Sequence, residues 1–174
     1  WSSDVCSSDL SQAGNTNYNA ADNVVRTVAT GALSTALTGV AGTGTFGGTA
    51  TLTAILTSSG QPVAGKSVTF SLVRTVVGSA TTNATGVATL TGVSLSGFNA
   101  GTQSAGVSAS FAADTAYSGA TATGDLTVAK AAQTITFDQP ATPQLINAQF
   151  TVAPGSSSGL SVTVTAGGGC TIGG

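Results

Sequence analysis

Hydrophobic and polar positions alternate with a period of two in short runs broken by turn residues. In residues 49–57 the chain alternates around Leu52, Ala54 and Leu56, and in residues 66–73 Val68, Phe70 and Leu72 alternate with Ser67, Thr69 and Ser71. The same rhythm places Val107, Ala109 and Phe111 on one side of residues 105–112, and it closes residues 120–129 with Leu126 and Val128. Successive strand side chains point to opposite faces, so each run predicts a strand with one buried face. Turn signals separate the runs. Ser58-Ser59-Gly60-Gln61-Pro62 turns the chain before the second run, and residues 83–86 turn it before residues 86–95, with Gly86 free to take a positive φ. Residues 97–101 form a loop carrying Phe98. No segment sustains an apolar period of 3.6 residues. About seven strands in about 100 residues predict an all-β sandwich.

The pattern also divides the chain. Residues 31–48 are a Gly/Thr/Ala-rich entry region in which Leu33, Leu37 and Val40 can pack. Residues 130–132 read as a linker, after which alternation resumes with Ile135 and Phe137, then Phe150 and Val152, then Leu160, Val162 and Val164. The chain also resembles itself at an offset of 99 residues: Ser11, Ala13, Thr16 and Tyr18 recur as Ser110, Ala112, Thr115 and Tyr117, with Asn15 answering Asp114. That period matches one small β-domain rather than a solenoid repeat, which makes the chain a slice of a tandem array. Residues 11–30 are then the end of one repeat, 31–129 a complete domain, and 133–174 the start of another whose apolar strands lack partners.

Residues 1–10 resemble the conceptual translation of a sequencing-library adapter, residue for residue, and are set aside from fold reasoning. The only Trp and Cys6 go with them, leaving four Asp against four basic groups in a fragment expected from environmental sequencing.

Charged residues make up 6% of the chain and the net charge is −2, so Thr, Ser, Asn, Gln and Gly must cover the surface. No basic stripe is available for a phosphate backbone, which argues against nucleic acid. His, Glu and Met are absent, which removes the usual general base and metal ligand together. No apolar run approaches the roughly 20 residues needed to span a bilayer.

Several motifs imitate chemistry. Residues 42–47 match a dinucleotide-binding fingerprint, but a Thr/Leu strand follows where a helix is needed, and no acid lies between Asp22 and Asp114. Residues 60–67 match the phosphate-loop pattern of Gly, four residues, Gly, Lys, Ser. A β-branched run again follows instead of a helix N-terminus, so a hairpin loop is the better reading. Asn15, Asp22, Asp114 and Asp125 could supply oxygen ligands to calcium at domain junctions, but a calcium site wants six or more oxygens and solvated turns account for these residues better. Tyr18 and Tyr117 each read as a packed ring whose hydroxyl bonds to backbone, ahead of a sugar-stacking platform. Asn83-Ala84-Thr85 spells a glycosylation sequon and is explained by turn chemistry. No catalytic, cofactor-binding or metal-binding residue is therefore assigned, and Cys170 reads as half of a structural disulfide in an oxidising compartment.

Residues 60–70, 82–90, 110–117 and 124–128, taken in order, resemble the bacterial Ig-like domain repeats of large surface and secreted proteins. The resemblance covers residues 31–129, and both flanks resemble a second repeat type found in such proteins. It implies an immunoglobulin-like β-sandwich without the Cys…Trp…Cys core of antibody domains, packed on Val, Leu, Phe46, Phe70, Phe98, Phe111 and Tyr117. It further implies a non-catalytic spacer or stalk, adhesion-associated, extracellular or on the bacterial cell surface. Its partners would be neighbouring repeats, with a host or glycan surface beyond. The alternatives are a glycan- or ligand-binding module using Phe98 and Tyr117, and an accessory domain of a secreted polysaccharide-degrading enzyme.

Overall fold

The structure, a computed structural model, describes residues 5–29, 31–140, 142, 144–145 and 147–172. It is all-β among the described residues, and it divides into two units between Lys130 and Ala131.

The chain opens with an antiparallel hairpin of β1 (Val5–Gln12) and β2 (Ala21–Ala29). Its ladder runs back through residues 5–10, the stretch that resembles an adapter translation. Backbone pairing needs no particular side chain, so the ladder carries no information about the origin of those residues.

The main domain contains β3 (Thr35–Thr45), β4 (Thr49–Ser58), β5 (Gln61–Pro62), β6 (Ser67–Leu72), β7 (Thr75–Thr81), β8 (Val87–Ser94), β9 (Gly101–Phe111) and β10 (Ala120–Ala129). Hydrogen bonds link them in the order β5-β4-β3-β10-β9-β6-β7, with β8 beside β5 on the edge of β4 away from β3. The sheet curls so that β8, β4 and β3 face β10, β9, β6 and β7 across one core, which is the immunoglobulin-like sandwich. Strand β3 joins the two faces, pairing antiparallel with β4 and parallel with β10. A register shift between Thr38 and Ala41 bends it from one face toward the other.

The core follows the alternation. Leu52, Ala54 and Leu56 of β4 face Val68, Phe70 and Leu72 of β6, and Val107, Ala109, Phe111, Leu126 and Val128 complete the layer. Leu37, Val63, Ala88, Val93 and Leu95 close its ends. Buried polar groups are satisfied: the Ser58 hydroxyl donates to the Ser34 carbonyl at 2.8 Å, and the Thr82 hydroxyl oxygen accepts the Lys66 amide at 2.9 Å.

The structure corrects several expectations. The entry region contains an 11-residue strand, β3, which its glycines had concealed because Gly is depleted in strands. Here small residues are required. A Cβ on Gly42 would lie 2.8 Å from both the Leu52 and Val107 side chains. Gly124 of β10 passes so close to β3 that a Cβ there would sit 1.6 Å from the Val40 carbonyl oxygen. Phe46 does not pack in the core. It lies in the turn beyond the end of β3 and is 49% exposed, while Leu33, ahead of the strand, is 56% exposed. Strand β7 is an addition, since its Val76 is exposed and breaks the expected alternation.

In the second unit, only β11 (Ile135–Thr136) and β12 (Gly155–Ser156) pair. Residues 150–152 and 160–165 are not strands, against expectation. Ile135, Phe137, Phe150, Leu160 and Val164 are exposed, and Leu145 and Ile172 with them. Two-residue strands present no face broad enough to bury such side chains.

Candidate functional site

Three segments distant in sequence meet where β3 begins: residues 33–35, the end of the β5–β6 loop at Lys66, and the β9–β10 loop at residues 112–119. The β9–β10 loop is shaped by Asp114. Its Oδ1 accepts the amides of Ala116 and Tyr117, both at 2.8 Å, and its own amide donates to the Tyr117 carbonyl at 2.9 Å. This is an Asx turn, the carboxylate standing in for a backbone carbonyl.

The second carboxylate oxygen, Oδ2, accepts a charge-assisted hydrogen bond from Lys66 Nζ at 2.7 Å. The same ammonium lies 5.1 Å from the centroid of the Tyr117 ring, within cation–π range. The Lys66 bond, then the Ala116 amide, hold the Asp114 carboxyl below its ordinary value of 3.8. Both side chains are about one-third exposed, at 28% and 33%, so water still screens the pair.

Lys66 is placed by its backbone. Its amide bonds to the Thr82 hydroxyl oxygen and its carbonyl accepts the Thr82 amide at 2.8 Å, while the Gly65 amide donates to the Thr82 carbonyl. On the other side, the Leu33 amide donates to the Ala116 carbonyl and the Ser118 amide to the Leu33 carbonyl. The Thr35 amide reaches the Ser118 hydroxyl oxygen at 3.2 Å. Leu33 and Tyr117 thereby form an isolated parallel bridge. Chemically the cluster is a clamp: the carboxylate is engaged at both oxygens, the ammonium is paired, and the β5–β6 loop is tied through Lys66 to the β9–β10 loop, which is bonded to the start of β3.

The same turn occurs at the other hairpin tip. Asn15 Oδ1 accepts the amides of Asn17 at 2.8 Å and Tyr18 at 3.0 Å, and the Asn15 amide donates to the Tyr18 carbonyl. The pairs Gln12↔Ala21 and Phe111↔Ala120 flank the two tips at the same offset of 99 residues. Tyr18, however, is 76% exposed, whereas Tyr117 packs against the core.

Other candidate residues fall apart spatially. Asp125 Oδ1 accepts the Ala105 amide at 3.0 Å, Asp22 lies in β2, and among the described residues no three Asp or Cys side chains gather as a cation site. Residues 42–47 run through the end of β3 and its turn, and residues 60–67 run through β5 into β6, so each glycine motif leads into a strand. Phe98 packs against the core instead of standing out as a platform. Tyr117 packs as expected, but among the described residues its hydroxyl makes no hydrogen bond; the contact that caps it is Lys66. Cys170 is an exposed thiol. A shallow depression of about 370 Å³ on the outer face of β6, β9 and β10 is lined by Ser71, Ser108, Ser110, Thr121 and Thr123, with no charged group.

In the sequence Lys66 carries a candidate chemistry only through the phosphate-loop pattern, and otherwise stands at the start of an alternating run. Its partner lies 48 residues away, and nothing local in sequence marks that pairing.

No protein-family model matches the chain, and no curated protein matches it. Among solved structures, the chain is similar to the D00-D0 domain of intimin, with 23% identity and a TM-score of 0.34. The match covers 72% of this chain and spans 65% of that one.

Proposed function

We propose that the chain is a non-catalytic, tension-bearing spacer module of a bacterial repeat protein that is exported or held on the cell surface. The observation that carries this reading is the parallel ladder between the first and last strands of the sandwich. Leu126 to Ala129 of β10 pair with Gly42 to Thr45 of β3 in parallel register. The chain enters at the start of β3 and leaves at the end of β10, at opposite ends of that ladder. Tension along the chain therefore shears the ladder and strains its rungs together. An antiparallel pair pulled from one end would open one rung at a time.

Other features support the same reading. The Lys66–Asp114–Tyr117 clamp ties loops to the entry segment, and the Leu33–Tyr117 bridge extends the contact between entry and exit elements. The resemblance of residues 31–129 to bacterial Ig-like repeats, and the turn repeated at Asn15 and Asp114, favour a tandem array whose partners are neighbouring repeats.

Single-molecule pulling tests the proposal. Handles at residues 31 and 130 should give one high-force unfolding event. Handles at Thr45 and Ala129, which sit side by side at one end of the ladder, should give a much lower force. Equal low forces in both geometries would defeat the reading.

A further inference from the structure

We propose that Asn83 is an acceptor for an N-linked sugar, a role independent of the spacer reading. Asn83 lies in the exposed loop between β7 and β8, and Ala84 and Thr85 beside it are exposed as well. No other asparagine in the chain is followed two positions later by Ser or Thr.

Turn chemistry explains one end of this side chain and leaves the other unused. Asn83 Oδ1 accepts three hydrogen bonds: from the Thr85 amide at 2.9 Å, the Thr85 hydroxyl at 2.8 Å and the Val87 amide at 3.0 Å. Two of these donors are backbone N–H groups, which fixes the oxygen as the inward atom of the amide. Among the described residues, Nδ2 makes no hydrogen bond. The backbone closes the loop without it, with the Asn83 amide on the Val87 carbonyl and the Gly86 amide on the Asn83 carbonyl, each at 2.9 Å.

The three donors also prepare the reaction. Each stabilises negative charge on Oδ1, the charge that grows there as Nδ2 gives up a proton. In the transfer, Nδ2 forms a bond to the anomeric carbon of a nucleotide-activated sugar. The bond from that carbon to the diphosphate oxygen breaks, the nucleoside diphosphate leaves, and the Nδ2 proton passes to a base of the transferase. Because Thr82 bonds to Lys66, an attached sugar would stand beside the clamp at the entry to the domain.

The test is to treat the folded full chain with a UDP-hexose and a soluble glycosyltransferase that recognises Asn-x-Ser/Thr, then map peptides by mass spectrometry. One hexose on Asn83 is expected, retained in Thr85→Ser and lost in Thr85→Ala and Asn83→Asp. Asn83→Asp keeps an acceptor oxygen for the turn, so an unchanged melting curve separates loss of the nucleophile from loss of the fold. The proposal is overturned if the folded chain stays unmodified, whether or not the urea-unfolded chain is modified. It is equally overturned if the only mass change at Asn83 is deamidation.

Discussion

At Asp114 the two carboxylate oxygens have different partners, and the matching turn at Asn15 shows which of them the turn needs. Asn15 forms the same Asx turn with one oxygen and no charge. Asp114→Asn should therefore preserve the loop and remove only the attraction to Lys66. Because the folded carboxyl is held below 3.8, its contribution is present at pH values above the unfolded value, and it is lost as pH falls through the lower folded value. Wild type should thus lose thermal stability in that acid window by more than Asp114→Asn does. The difference should be small and should shrink in high salt, because the pair is solvent-screened. Identical pH profiles of Tm would remove Asp114 from this role. Gly124 presents a steric version of the same residue-scale question. No rotamer can relieve a Cβ placed 1.6 Å from the Val40 oxygen, so Gly124→Ala should cost about 3 kcal/mol or prevent folding. Gly31→Ala, with nothing within 4 Å, is the control, expected within about 0.5 kcal/mol in urea denaturation.

Among the elements, the alternating runs of β4, β6 and β9 place in the core the residues their pattern predicts, because one solvent-facing and one buried face impose a period of two. Strands β3 and β7 were not legible in that way. In β3 only Leu37 is a buried apolar side chain, and the close-packed inward positions further along are Gly42 and Gly44, so no apolar alternation marks that half of the strand. In β7 a register shift at Phe70/Ser71 and an exposed Val76 disrupt the rhythm of an edge strand. The β6–β7 hairpin carries a local conflict too. Leu72 pairs with Thr75, so Val73 and Arg74 form a two-residue loop with φ of 43° and 72°. Both angles suit Asn-Gly, and positive φ is costly for a β-branched residue. The double substitution Val73→Asn/Arg74→Gly should raise stability by about 1 kcal/mol, read as a higher urea midpoint at unchanged m-value. A lower midpoint would mean that the Val73 side chain matters more than its backbone.

For the whole molecule, the contrast lies between a unit with a continuous core and one with large apolar side chains on its surface. Ile135, Phe137, Leu145, Phe150 and Leu160 are exposed on residues 131–172, with few charges to keep copies apart. Exposed apolar patches and unguarded strand edges favour association. Analytical ultracentrifugation of the full chain should show concentration-dependent self-association, and a chain ending at Lys130 should show much less. A clean monomer of the full chain at high concentration would refute this.

The alternating runs of β4, β6, β9 and β10, their core-facing residues, the turns between them and the sandwich class followed from the sequence by itself, because each is a local consequence of side-chain alternation and of which residues tolerate a turn. The self-similarity at an offset of 99 residues was also legible, and Asn15 and Asp114, at matching positions, each form the same Asx turn. Only the tertiary structure decided that β3 lies parallel to β10, that Thr35 reaches Ser118 across 83 residues, and that Lys66 finds Asp114 and Tyr117. Such pairings depend on how the curled sheet closes, and a chain's linear pattern encodes each strand's faces but not which strand becomes its neighbour.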